Sequence, residues 1–180
     1  MRITVIIVFL SMFFQCGERT QFTNELAEID NMLQRLDSLE KNYQKIDTAL
    51  LKEIQVKVKS DIKNMEQQFD TLPPDIAFYL SEYAYPLKKQ YKRVLQRFPD
   101  WKESIEYSRQ QLNDLKHDLQ KNLIDSAKAF QYLNDEKNFL MSIESEINEL
   151  GNAAMNYAKT FDSKQQRLYH LVDSLKQVKN

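Results

Sequence analysis

The sequence predicts an all-α protein. The expected architecture is an elongated antiparallel helical bundle with two long helices, a coiled-coil-like stalk and a shorter helical hairpin. Three observations predict it. Apolar residues recur at steps of three or four over long stretches, the signature of helices buried on one face. The 180 residues include only 2 glycines and 4 prolines, too few for the many turns of a sandwich or barrel. No stretch alternates for long with the period of two that a half-buried strand requires. A content of 42% hydrophobic and 28% charged residues excludes a disordered polyampholyte.

The first element is an address. Met1-Arg2 is a minimal positive n-region, and Ile3 to Phe14 is apolar except for Thr4 and Ser11. A membrane-spanning helix needs about 20 apolar residues, whereas the h-region of a secretory signal needs roughly 7–15. The run ends at Phe13-Phe14-Gln15-Cys16, which holds the one cysteine of the chain. These residues resemble a bacterial lipoprotein signal, a lipobox ending in the acylated cysteine. Phe13 stands where Leu is usual and Gln15 where a small residue is usual, as in the loose boxes of Bacteroidota lipoproteins. The resemblance implies cleavage before Cys16, a covalent lipid on Cys16 and no other cofactor. It implies a chain anchored in the cell envelope, at the outer membrane facing the periplasm or the cell surface. A lone thiol fits this reading, because a free thiol is a liability in an oxidising envelope and a thioether is inert. The expected organisation is a signal peptide over 1–15, a flexible tether over 16–22 and a helical bundle over 23–180.

The helices follow in order. Thr23 is the expected cap of the first, with Glu25 and Glu28 in the first turns, where carboxylates suit the dipole. Leu26, Ile29, Leu33, Leu36, Leu39, Tyr43, Ile46, Leu50, Ile54, Val58, Ile62, Met65, Phe69 and Leu72 keep helical spacing with no Gly or Pro between them. This predicts one helix of roughly 70 Å at 1.5 Å per residue. Pro73-Pro74 ends it, and Pro74 suits the first position of a second helix over 75–97, which Pro86 should kink. Phe98-Pro99-Asp100 is the next expected break, with Asp100 capping a third helix that begins at Trp101. A further break falls near 122–127, and a last helix runs to about 178, with Gly151 loosening it locally.

These lengths predict how the helices pair. The halves 24–47 and 153–178 would form an antiparallel coiled coil, since Leu33, Leu36, Tyr43, Ile46 and Leu50 keep near-heptad spacing, as do Phe161, Leu168, Val172 and Leu175. The lipid anchor and the C-terminus would then share the stalk base, with the proline-rich bend at the far end.

The chemistry is sparse. The 25 basic and 26 acidic residues give a net charge of −1, which offers no overall attraction to nucleic acid. Asp114 and His117 share a helix face at i, i+3, faintly like the Glu-x-x-His of di-iron bundles. That site needs a second such pair, and Arg167 stands three residues before His170, so no metal is expected. No His-Glu-x-x-His, Gly-x-Ser-x-Gly or phosphate-cradling glycine loop occurs, and the reading is non-enzymatic.

The most distinctive stretch is 73–101, where Phe78, Tyr79, Tyr83, Tyr85, Tyr91, Phe98 and Trp101 cluster with Lys88, Lys89, Lys92, Arg93 and Arg97. Helical spacing puts the cations on one face, with Leu87, Tyr91, Val94, Leu95 and Phe98 largely opposite. Tyr83, Tyr85, Lys88, Lys89, Tyr91, Lys92, Arg93 and Arg97 are the candidate partner-binding residues, because tyrosine and arginine are enriched at interfaces. The bland alternative is a packed aromatic core beneath a solvated basic face. The segment from Gln111 to Asp125 also resembles small uncharacterised Bacteroidota lipoproteins, which adds no mechanism. The expected function is a lipid-anchored envelope scaffold that docks an envelope protein or an anionic envelope polymer. The alternative is a chaperone-like module that holds polypeptide or lipid between its helices, and a large exposed apolar groove would distinguish it.

Overall fold

The computed structural model describes residues 21–179, and no strand occurs among them. The helices are α1 (Thr23–Gln44), α2 (Thr48–Gln68), α3 (Pro74–Pro86), α4 (Lys92–Gln120), α5 (Ser126–Glu146) and α6 (Asn152–Lys179). Single π-helical turns, Leu87–Tyr91 and Ile147–Gly151, join α3 to α4 and α5 to α6. The two long helices are therefore 74–120 and 126–179; the second is the expected last helix, whereas the first takes the place of the expected long helix over 23–72. The all-helical class and the bundle stand; the boundaries within it change in three places.

The expected single helix over 23–72 is two helices. Asp47 adopts an extended backbone and its side chain accepts from Leu50 N at 2.9 Å, capping α2 and satisfying a donor that a helix start leaves free. Just before it, Lys45 N and Ile46 N donate to Asn42 O and Tyr43 O, tightening the end of α1. The break turns Ile46 inward, where it is buried. At the N-terminus Thr23 is the first helical residue and Phe22 the cap, and Phe22 is only 2% exposed. The last residue of the expected tether is thus part of the core.

The expected break at 98–100 is absent, and Pro99 lies inside α4. The helix survives the missing N–H because residues on both sides of it hold the turn. Phe98 stacks on Tyr43 with ring centroids 4.3 Å apart, Trp101 is buried, and Asp100 pairs with Arg97 at 2.8 Å. Pro86 does disturb its helix, as expected: the π turn follows it at once, the kind of irregularity by which a helix absorbs a missing donor. The break near 122–127 is also found. Asn122 takes a left-handed φ of 51°, a conformation Asn tolerates better than most, and Asp125 caps α5 by accepting from Lys128 N at 2.9 Å.

Contacts arrange these pieces as three antiparallel rods. One rod is α1 followed by α2, the second is α3–α4 and the third is α5–α6. Helix α1 packs on α4 and α5, while α6 packs on α3 and α2. The expected pairing of 24–47 with 153–178 is therefore replaced. Ion pairs fix the register of the first half: Lys137–Glu28 at 2.6 Å, Lys116–Asp30 at 2.5 Å, Arg109–Asp37 at 2.6 Å, Arg109–Glu40 at 2.8 Å, and Arg35–Glu144. Each is partly exposed and contributes little stability alone; together they disfavour a slipped register. Beneath them runs a continuous core through Ile29, Leu36, Leu51, Val58, Leu112, Leu140, Phe161 and Leu168.

All three rods are irregular at one level. The α1–α2 break meets the second π turn where Ile46 Cδ1 comes within 2.6 Å of the position a Cβ on Gly151 would occupy. Tyr91, the last residue of the first π turn, donates its hydroxyl to Ala154 O at 3.3 Å. This waist divides the bundle into an α1–α4–α5 half and an α2–α3–α6 half. Gln21 Nε2 lies 3.3 Å from Ser126 Oγ, so residue 21 sits at the α4–α5 turn. Lys179, at the close of α6, belongs to the opposite end with Pro73-Pro74. Residue 21 and the close of α6 therefore do not share a base, and Pro73-Pro74 lies at the end away from residue 21.

Candidate interaction surface

The structure divides the candidate residues of 73–101 between core and surface. Tyr83 is 1% exposed and Tyr91 0% exposed, so neither belongs to a binding face. Periodicity places Tyr91 inward with Leu87, Val94, Leu95 and Phe98, and the expectation for that opposite face holds; Tyr83 is a correction. Tyr83 donates its hydroxyl to Asp61 Oδ2 at 2.6 Å. Asp61 is 3% exposed and accepts further from Gln165 Nε2 at 2.8 Å and Tyr169 OH at 2.5 Å. A buried carboxylate is held here by three uncharged donors. Burial and the bond to Asp61 raise the Tyr83 pKa. The bond to Asp61, then burial, pushes that of Tyr169 up to about 12.

Tyr157 donates to Tyr83 O at 2.5 Å, so an α6 side chain closes on the backbone one turn before the first π turn. Its ring meets that of Tyr91 edge-on. Burial raises the pKa of both Tyr91 and Tyr157. This aromatic set is the packed core of the bland alternative.

Arg97 is a structural charge. It bonds Glu146 through Nε at 3.0 Å and Nη2 at 2.9 Å, and Trp101 Nε1 donates to the same carboxylate at 2.9 Å. The Arg97 bonds hold Glu146 below its ordinary pKa; burial opposes them and Trp101 adds to them. What remains at the surface is Tyr85, 53% exposed, with Lys92 and Arg93, both exposed. The side chains of Lys88 and Lys89 lie outside the described residues, as does the whole of Cys16 and the segment 1–15.

Sequence reasoning missed the groove beside this surface. A slot of about 230 Å³ lies between α2 and the junction of α3, the first π turn and α4. Ile62, Ala84 and Leu87 form its apolar floor, and Gln55, Lys59 and Lys92 its rim. The signal was the pairing itself: no periodicity in one helix reveals which neighbour stands off. A second groove, of about 340 Å³, lies between α4 and α5, with Tyr107, Leu115, Tyr132, Asp114, Asp118, Asp135 and Glu136 along it. Burial raises the Glu136 pKa against the opposing effect of the Ser108 hydroxyl bond. His117 is exposed, and among the described residues no group of three or more His, Cys, Asp or Glu gathers as metal ligands would. No helix among them is long and apolar enough to cross a membrane. No protein-family model, curated protein or solved structure matches the chain.

Proposed function

We propose that this protein is a non-enzymatic, lipid-anchored scaffold of the cell envelope. It is a rod tethered through Cys16 that holds the basic surface of its waist toward an anionic partner. The observation that carries the reading is the polarity of the rod. Residue 21 lies at one extreme, beside Ser126, so a tether leaves from that end alone. The waist then stands about 35 Å away along α5, at 1.5 Å per residue, with Lys92 and Arg93 exposed there.

The sequence supports the tether through the short apolar run that ends at the one cysteine. Docking is favoured over a chaperone role by the modest size of the apolar slot. A holdase for unfolded chains needs a broad apolar surface, and the exposed large apolar side chains, such as Val56, Phe78, Leu123 and Phe130, are spread along the rod.

The test is fractionation. Cys16→Ser should release the protein from membranes into the soluble fraction of the envelope. Retention of the Ser variant in membranes after a high-salt wash would defeat the anchored reading.

A further inference from the structure

We propose that the α4–α5 turn is a foot that seats on a phospholipid surface through Leu123 and Phe130. This rests on the scaffold reading only in placing a bilayer at the tether end; the chemistry that holds the chain there does not enter.

The backbone builds the foot. Asn122 takes its left-handed φ of 51° directly after α4, and two bonds close the turn. Leu123 N donates to Asp118 O at 2.9 Å and Asn122 N to Leu119 O at 3.2 Å. This pair of bonds is a Schellman motif, in which the residue at the place of Leu123 commonly lays an apolar side chain on the last turn of its helix. Here the facing positions are Asp118 and the exposed His117, and Leu123 is left 64% exposed. Its neighbour Ile124 packs against the core and holds the loop. Phe130, 69% exposed, stands one turn into α5 on the face of Ser126, at i, i+4 spacing. With Val56 and Phe78 these are the four most exposed large apolar side chains among the described residues, and two of the four share this end.

What lies against this end follows from where the described chain begins. Gln21 Nε2 is 3.3 Å from Ser126 Oγ, so the chain before it leaves from the face that carries Phe130. The steps from Cys16 to Gln21 span at most about 17 Å when extended, so a bilayer that holds Cys16 stands no farther off. Amphipathic elements seat their apolar side chains about 5–10 Å into the headgroup boundary. Phe130 is about 6 Å along α5 from its start, so one depth takes both side chains. Lys121 and Lys128 are matched here by Asp118 and Asp125, with Lys128 3.9 Å from Asp125; the contact is therefore apolar rather than ionic. A tether makes it intramolecular, at an effective concentration in the millimolar range, so two apolar side chains suffice. Such a foot sets the rod upright and keeps the waist at its full distance from the bilayer.

The experiment uses the full chain in phosphatidylcholine vesicles with brominated acyl chains, which quench a tryptophan that touches them. Mass spectrometry first reads whether Cys16 carries lipid. Where the thiol is bare, the chain is coupled through it to a maleimide phospholipid, so the foot is tested with either tether. Tryptophan is placed singly by Leu123→Trp, Phe130→Trp and Val56→Trp, at three exposed positions. Native Trp101 is buried and about 30 Å along α4 from the turn, a constant background. Brominated lipid should cut the added emission at 123 and at 130 by about twofold or more, as seating at the acyl boundary requires. It should leave the emission at 56 unchanged. Phe130→Gln should relieve the quenching at 123, because the two side chains seat together. The proposal is overturned if 123 and 130 are quenched no more than 56, or if Phe130→Gln changes nothing. Equal quenching at all three positions also overturns it, since the rod would lie flat. So does loss of quenching in about 0.5 M salt, which would make the contact ionic. Emission at 123 that shifts with protein concentration and not with brominated lipid would make this end an interface between copies, and would overturn it too. A bare Cys16 defeats the lipid anchor and leaves the quenching result standing, so the two readings fail separately.

Discussion

Asp61 is the residue on which the second half of the bundle is most sensitive. A buried carboxylate costs several kcal/mol to desolvate unless its lone pairs are used, and here Tyr83, Gln165 and Tyr169 from two other helices use them. Asp61→Asn replaces one acceptor oxygen by a donor facing donors. It should lower unfolding free energy by about 1–3 kcal/mol, measured in urea. Because the donors share one acceptor, Tyr83→Phe should cost less in the Asn background than in the wild type. Strict additivity, to within about 0.5 kcal/mol, would mean that the bonds act independently. The same cluster sets an alkaline limit. Tyr83 and Tyr169 are harder to ionise folded than unfolded, so their stabilisation is complete below pH 10, the ordinary phenol value. It is lost as pH rises, and for Tyr169 the loss runs through about 12. Ultraviolet titration of the phenols, followed alongside helicity, should show ionisation and unfolding in that window. The sequence concealed Asp61 for a physical reason. Buried Ile54, Val58 and Met65 leave a step of three or four that either 61 or 62 can fill, and apolar Ile62 is the natural choice. The tyrosines that make Asp61 tolerable inside come from helices whose pairing one stripe does not reveal.

At the level of elements, the places where the sequence misleads are those where tertiary contacts override a local signal. Pro99 reads as a break, yet Phe98 and Trp101 are both held inward and the helix goes on. Residues 45–47 contain no Gly or Pro and read as helix, yet Asp47 caps a new one and Ile46 turns toward Gly151. The signals that did hold were those with a mechanism in the backbone: Pro74 at a helix start, the disturbance at Pro86, and the break near 122–127, where Asp125 caps α5. Gly151 shows the difference between a loosening and a fit. In a helix a glycine costs up to about 1 kcal/mol against alanine, and here the missing side chain makes room for Ile46. Gly151→Ala should therefore come out near neutral, since the helix gain offsets a small shift of the Ile46 tip. Gly151→Val should lose about 1–3 kcal/mol by overpacking. A valine variant as stable as the alanine one would mean that the waist has slack, and the close approach would not constrain it.

For the whole molecule the decisive question is which ends meet. Apolar periodicity gave helices and a bundle class but is silent on pairing, because an apolar stripe fits any partner of similar length. A folded-back stalk and three end-to-end rods bury the same residues of α1 and α6. They differ in where the termini lie. In the stalk, residues near 24 and 176 would be neighbours at one base. In the observed bundle α1 starts beside Ser126, and α6 runs away from that end, with Tyr79 of α3 donating to Lys164 O on the way. From 126 to 176 the third rod covers about 75 Å at 1.5 Å per residue. Spin labels at Asn24 and Lys176, both exposed, in a Cys16→Ser background should therefore lie about 70 Å apart by dipolar spectroscopy. A main population under about 30 Å, within reach of a helix pair and its labels, would restore the folded-back stalk. It would put the C-terminus beside the tether, and the scaffold reading would lose the one-ended polarity that supports it.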